Sequence, residues 1–254
     1  MSGIGGIRRT RVDRTVVLAL LGALGVCCWA YLLVRVRHPA AGGSAAAVAA
    51  MPWRGHDLAL LFALWLVVIA ATMLPAAAPA VLLYARVRRL RGGSWVLPAT
   101  AMFMLGEVLA WSGCAAVATL AGWVLHDAGA LDEAMAVAHP SAGALLLVAA
   151  GVYQWTPAKR ACLEDARAPL AFVLTHWRGG AWGALRMGGT DARYGIGCCW
   201  LLLALVLPAG VLNLPVIGAV LVLVLAEKLL PGGHIIACAT GVGLLAWGTA
   251  LLFP

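Results

Sequence analysis

The chain has 254 residues, 63% of them hydrophobic and 11% charged, with a mean hydropathy of +0.96, against roughly 45–50% apolar residues in a soluble domain. Its net charge is +8, but the basic residues stand at the ends of apolar runs, which excludes nucleic acid as a partner and fits anchoring to the anionic leaflet of a lipid bilayer. The seven cysteines are scattered through apolar segments, unlike the framework of a small secreted domain, and are read as reduced thiols.

The expected fold is all-α, a polytopic transmembrane helix bundle of about seven spans. The first fourteen residues, MSGIGGIRRTRVDR, form a basic tail. The apolar run from Thr15 to about Val34 ends without a small-residue cleavage pattern and is predicted as a retained first span. A spacer rich in Ala, Gly and Pro occupies 38–56, and a second span is expected over about 57–85. Pro75 and Pro79 predict a kink in it. The basic turn RVRRLRGGS leads to a third span over about 95–125, followed by the acidic loop HDAGALDEAMAVAHP. A short fourth span over about 141–156 is stopped by Pro157, which cannot continue a helix.

Residues 158–193 are amphiphilic and Gly-rich and predict a loop, before spans five, six and seven at about 195–211, 214–230 and 234–252. In domain terms, 1–14 is a basic cytoplasmic N-terminus and 15–254 a single transmembrane helical domain with a cytoplasmic loop near 158–193. Fifteen of the eighteen Lys and Arg residues then fall on one side, with Arg35, Arg37 and Arg54 on the other. The positive-inside rule makes the populated side, and the N-terminus, cytoplasmic.

Ionisable groups inside the apolar runs point to chemistry. Glu107 stands about twelve residues into the third span, roughly 18 Å from its cytoplasmic end, where a carboxyl must be protonated, paired or beside a wet or metal-bearing cavity. Met104, Trp111 and Cys114 share its helical face. Two readings stand: a functional group, or a protonated acid bonded to a neighbouring helix. Glu227 and Lys228 end the sixth span, where a Lys reaching the headgroups and a Glu paired with a loop Arg is the favoured reading. His38, His56, His126 and His139, with Met51, Asp57 and Asp127, fall on the outer side as a candidate metal port.

The cytoplasmic side gathers a second donor set: Cys162, His176, the adjacent Cys198 and Cys199, and His234 with Cys238 one helical turn on. Thiolate, thioether and imidazole favour Cu(I) or Zn(II) over hard cations. Cysteines in apolar helices also serve as small hydrophobes, and the chain has no CxxC or HxxxH motif.

The segments MLPAAAPAVLLYARV, YQWTPAKRACLEDARAPLAFVLTHWRGG, YGIGCCW and LAEKLLPGG, in this order, resemble a bacterial family of predicted metal-binding integral membrane proteins, some of whose members are labelled copper chaperones. The resemblance covers about residues 60–252. It implies a multi-pass protein of the bacterial inner (plasma) membrane that binds a soft transition metal, copper first and zinc second, for delivery or storage. Cys162, Cys198, Cys199, Met73, Pro75 and Pro79 match the family's pattern. The chain departs from it at Ala166 and Ile196, where the family carries further cysteines, and at Glu107, where it carries an aromatic. Cys162, Cys198 and Cys199 are therefore the first-choice ligands, with Met73, His176, His234 and Cys238 in reserve.

Adjacent helical residues point about 100° apart. One of Cys198 and Cys199 is thus expected to turn toward Cys162 while the other packs against a neighbouring helix, and a vicinal disulfide would be strained. A different class of function follows from Glu107: a membrane enzyme or oxidoreductase subunit, with Glu107 catalytic or metal-ligating and an apolar or lipid-like substrate. A third is a structural role among membrane-protein partner subunits, suggested by small-residue helices such as GVGLLAWG.

Overall fold

The structure is a computed structural model. It describes residues 3–37, 54–93, 95–131 and 136–253, the first eleven of these as backbone only. Helices account for the fold: α1 (Gly3–Arg37), α2 (Gly55–Leu90), α3 (Val96–Asp127), α4 (Pro140–Tyr153), α5 (Pro157–Ala166), α6 (Pro169–Thr175), α7 (Gly180–Ala204), α8 (Val206–Ala209), α9 (Leu214–Leu229) and α10 (Gly233–Leu252). Among the described residues the extended structure is one isolated bridge between Leu131 and Val137.

Among the described residues five helical stretches are long and apolar enough to cross a membrane: Arg14–Arg37, Gly55–Leu90, Val96–Asp127, Gly180–Ala209 and Gly233–Leu252. The fourth and sixth expected spans fold as α4 and α9, of 14 and 16 residues. At about 1.5 Å per residue both fall short of a hydrocarbon core of about 30 Å. The α2 helix runs unbroken through Pro75 and Pro79.

The expected loop at 158–193 is mostly helical, as α5, α6 and the first half of α7. Helix α5 starts where sequence chemistry asks for a start: Thr156 accepts a hydrogen bond from the Lys159 backbone N–H, and Pro157 follows at the first helical position, where its missing N–H costs nothing. Helix α7 begins fifteen residues before the span expected at 195. Its glycines are contact points here, not breakers. Backbone meets backbone between α3 and α7, since a Cβ added at Gly188 would fall on the Phe103 carbonyl oxygen and one added at Gly106 on that of Leu185. Small residues permit that approach.

A second seam joins α4 to α10, where Gly151 faces the Gly241 carbonyl and Gly248 faces Ala144. Gly241 and Gly248 of GVGLLAWG are thus used within the chain, while Gly243 faces open space. Two apolar clusters fill the interior. The larger holds Trp65, Val68, Met73, Cys198, Cys199 and Val224. The smaller centres on Tyr84, which stacks on Phe103 at 4.9 Å and on Trp177 at 5.5 Å.

Candidate functional site

Where α5 crosses α7 and the end of α9, two sulfurs meet and a third lies on the neighbouring helix. Cys198 and Cys199 are fully buried, and their Sγ atoms lie 3.1 Å apart. The 100° between neighbouring side chains was expected to separate them; side-chain rotation closes that gap instead, with Cys198 Sγ also donating to the Gly195 carbonyl oxygen at 3.3 Å. All seven cysteines are free thiols. Cys162, on α5, lays its Sγ against the bare α-carbon of Gly197, a position any side chain at 197 would occupy. Burial pushes the Cys162 thiol above its ordinary range, Cys198 and Asp165 add to this, and the Lys159 ammonium opposes it.

Charged groups surround the sulfurs. Lys159, 1% exposed, places Nζ 2.6 Å from Glu227 Oε2 and donates to the Cys198 carbonyl oxygen. Gln154 Nε2 donates to Glu227 Oε1 at 2.9 Å, and the Arg167 guanidinium donates to the Glu227 backbone carbonyl. The Tyr153 hydroxyl donates to the Gly197 carbonyl, so α4, α5, α7 and α9 are tied at one place. Glu227 was expected at the headgroups beside a loop Arg; it is a buried carboxylate held by Lys159. Lys228 is not turned outward either. Its Nζ stands about 3.2 Å from where a Gly195 Cβ would lie, near Cys198, Cys199, Asp191 and Glu107.

Glu107, 4% exposed on α3, sits beside Asp191 of α7, Trp111 and Lys228. Its Oε1 is buried without a hydrogen-bond partner. Two cavities meet this group of ionisable residues. One, of about 130 Å³, is walled by Pro79, Ala166, Arg167, Asp191 and Lys228. The other, of about 250 Å³, is apolar and includes Glu107, Met73, Met104 and Trp111 in its wall.

The remaining sequence candidates lie elsewhere. Met73 belongs to the wall of the apolar cavity. His176 ends α6 exposed, its ring stacked on Phe172 at 5.0 Å and bonded to the Thr175 hydroxyl at 2.9 Å. His234 is exposed at the start of α10, and Cys238, half-buried, accepts from the Trp155 indole through its backbone carbonyl at 3.2 Å. His56 pairs with Asp57 at 3.0 Å, while His38 and Met51 lie outside the described residues. Among the described residues no three His, Cys, Asp or Glu side chains converge as a ready metal site.

Sequence reasoning passed over Lys159, Gln154 and Asp191. Lys159 was counted as an orienting charge, and Asp191 fell in the expected loop. The signal for Asp191 was present: Ala184, Gly188, Ala192 and Gly195 recur at helical spacing and are all buried, which places their neighbour on a helix packed against the apolar core.

A family model for PpoB2, described as copper chaperone, matches residues 62–251. No curated protein and no solved structure matches the chain.

Proposed function

The chain belongs to the PpoB2 copper-chaperone family, and on that premise we propose that it is a multi-pass protein of the bacterial inner membrane, N-terminus cytoplasmic, that takes Cu(I) as cargo for delivery or storage. The ion is carried by Cys198 and Cys199, with Cys162 as the third sulfur. The observation that supports this most directly is the 3.1 Å approach of two buried thiols with Cys162 beside the same turn of α7.

Chemistry favours Cu(I) on such a set. Soft thiolates select it, whereas structural Zn(II) takes four ligands, one more than the three cysteines supply. Ala166 and Ile196 stand where further thiols would complete a cage. Two thiolates around Cu(I) carry a net charge of minus one, and a buried charge needs a partner. Lys159 is already engaged by Glu227. Lys228, against Gly195 and next to both thiols, is placed to offset it.

The test is copper retention. Protein purified anaerobically in detergent, loaded with Cu(I) and desalted, is expected to keep copper at about one ion per chain for the ligand set described. The Cys198→Ala/Cys199→Ala variant is expected to lose it, and Cys162→Ala to hold it less tightly against a Cu(I) chelator. Absence of copper from the wild type, or equal retention by the double variant, overturns the proposal.

A further inference from the structure

The apolar cavity is separate from the thiols in its chemistry. It lies among α1, α2 and α3 and has a volume of about 250 Å³. Its flank is formed by Leu24 of α1 and Val108 of α3, which are 48% and 46% exposed, so it opens between these helices to the surroundings of the bundle. Cys28, Met73 and Met104 put polarisable sulfur into the wall and Trp111 an aromatic face. Such surfaces suit a flat ring. A cavity of about 150 Å³ holds one benzene, so this one accommodates a single substituted ring.

One carboxyl enters that apolar wall. Glu107 is 4% exposed, lines the cavity, and has a buried Oε1 with no partner. Asp191, Trp111 and Lys228 are the other groups beside the carboxyl, and Trp111 shares the cavity wall with it. Buried polar atoms are almost always hydrogen-bonded, and an unpaired acceptor on a residue that lines a cavity invites a donor from whatever fills that cavity. A bare cation would need several polar ligands, which hydrocarbon walls do not provide.

We propose that this cavity binds a membrane-soluble molecule with one ring-sized apolar head bearing a hydroxyl, which donates to Glu107 Oε1 while the tail leaves between Leu24 and Val108. The inference uses the membrane placement proposed above and is independent of copper. Glu107 acts as the recognition group that distinguishes a hydroxylated head from a lipid tail.

The experiment uses a matched pair of photoreactive probes, a 4-alkylphenol and the alkylbenzene of equal chain length, on the full chain in lipid nanodiscs. Labelled peptides are located by mass spectrometry. The phenol is expected to label segments around Leu24, Met73 and Val108 at a concentration roughly two- to tenfold lower than the alkylbenzene, the range of an ordinary hydrogen bond. Glu107→Leu should erase that difference, while Glu107→Gln, which keeps an acceptor oxygen, retains most of it. Ala70 of α2 also lines the cavity, and Ala70→Phe, which fills it, removes labelling by both probes there and leaves copper retention at the wild-type level. Equal labelling by the two probes in the wild type overturns the proposal, as does labelling that survives Ala70→Phe. Those two results stand even where Glu107→Leu fails to fold.

Discussion

Glu227 and Glu107 are both carboxyls buried in an apolar helical bundle, and their surroundings are opposite. Both oxygens of Glu227 are engaged, one by Lys159 at 2.6 Å and the other by Gln154 at 2.9 Å. Glu107 has an unpartnered oxygen and a cavity in front of it. A carboxylate with every acceptor filled holds helices together and has nothing left to offer a ligand. One with an open acceptor is costly to the fold and is retained where something binds. The difference gives Glu227 the surroundings of an architectural bridge and underlies the recognition role proposed for Glu107.

The largest effect should come from breaking the satisfied side of this comparison. Lys159→Met leaves Glu227 charged and buried without its ion partner, and is expected to lower stability by about 3–5 kcal/mol. Unfolding in detergent, followed by circular dichroism, measures it. The Lys159→Met/Glu227→Leu double variant should recover most of the loss, because a buried pair replaced by apolar groups is often neutral. A double variant no more stable than the single one would mean that the pair does more than bridge α5 to α9.

Next in size is the seam that sets Glu107 against Asp191. Gly188→Ala places a methyl on the Phe103 carbonyl, and the cost of such overpacking is about 1–3 kcal/mol. A melting temperature unchanged from wild type would show that α3 and α7 do not meet backbone to backbone. Glu107→Gln should be milder, within about 1 kcal/mol, the range of ordinary substitutions, since Glu107 holds no ion pair comparable to that of Glu227. A loss as large as that of Lys159→Met would erase the distinction between the two carboxyls. The smallest effect is expected at His234, exposed at the start of α10. His234→Ala should change stability by no more than about 0.5 kcal/mol and leave bound copper, measured by elemental analysis, at the wild-type level.

The all-α class was legible because apolar runs of membrane length are broken by basic turns and prolines, whereas Pro157, read as the stop of a span, also opens α5. Two short helices, α4 and α9, were counted as spans because hydropathy reports burial without reporting length well. The helical first half of α7 was missed because glycine normally argues for a loop. There it answers a different demand, the absence of a side chain at a helix contact, and the spacing of Ala184, Gly188, Ala192 and Gly195 carries that information. The common side of the bundle offered six donors, Cys162, His176, Cys198, Cys199, His234 and Cys238, and it was the family resemblance that singled out Cys162, Cys198 and Cys199. The partner of Glu227 was not legible. Lys159 is 68 positions away, and nothing local in either residue's neighbourhood anticipates the pairing.

The seam between α3 and α7 also has a mechanical meaning. Helices that touch through side chains can slide as rotamers adjust, whereas two backbones in contact at Gly106 and Gly188 leave no soft layer to absorb displacement. The helix that carries the cavity's carboxyl and the helix that carries the paired sulfurs therefore behave as one stiff beam. A change of tilt at either end is expected to be felt at the other, while α1 completes the wall of the cavity with much of its own surface exposed.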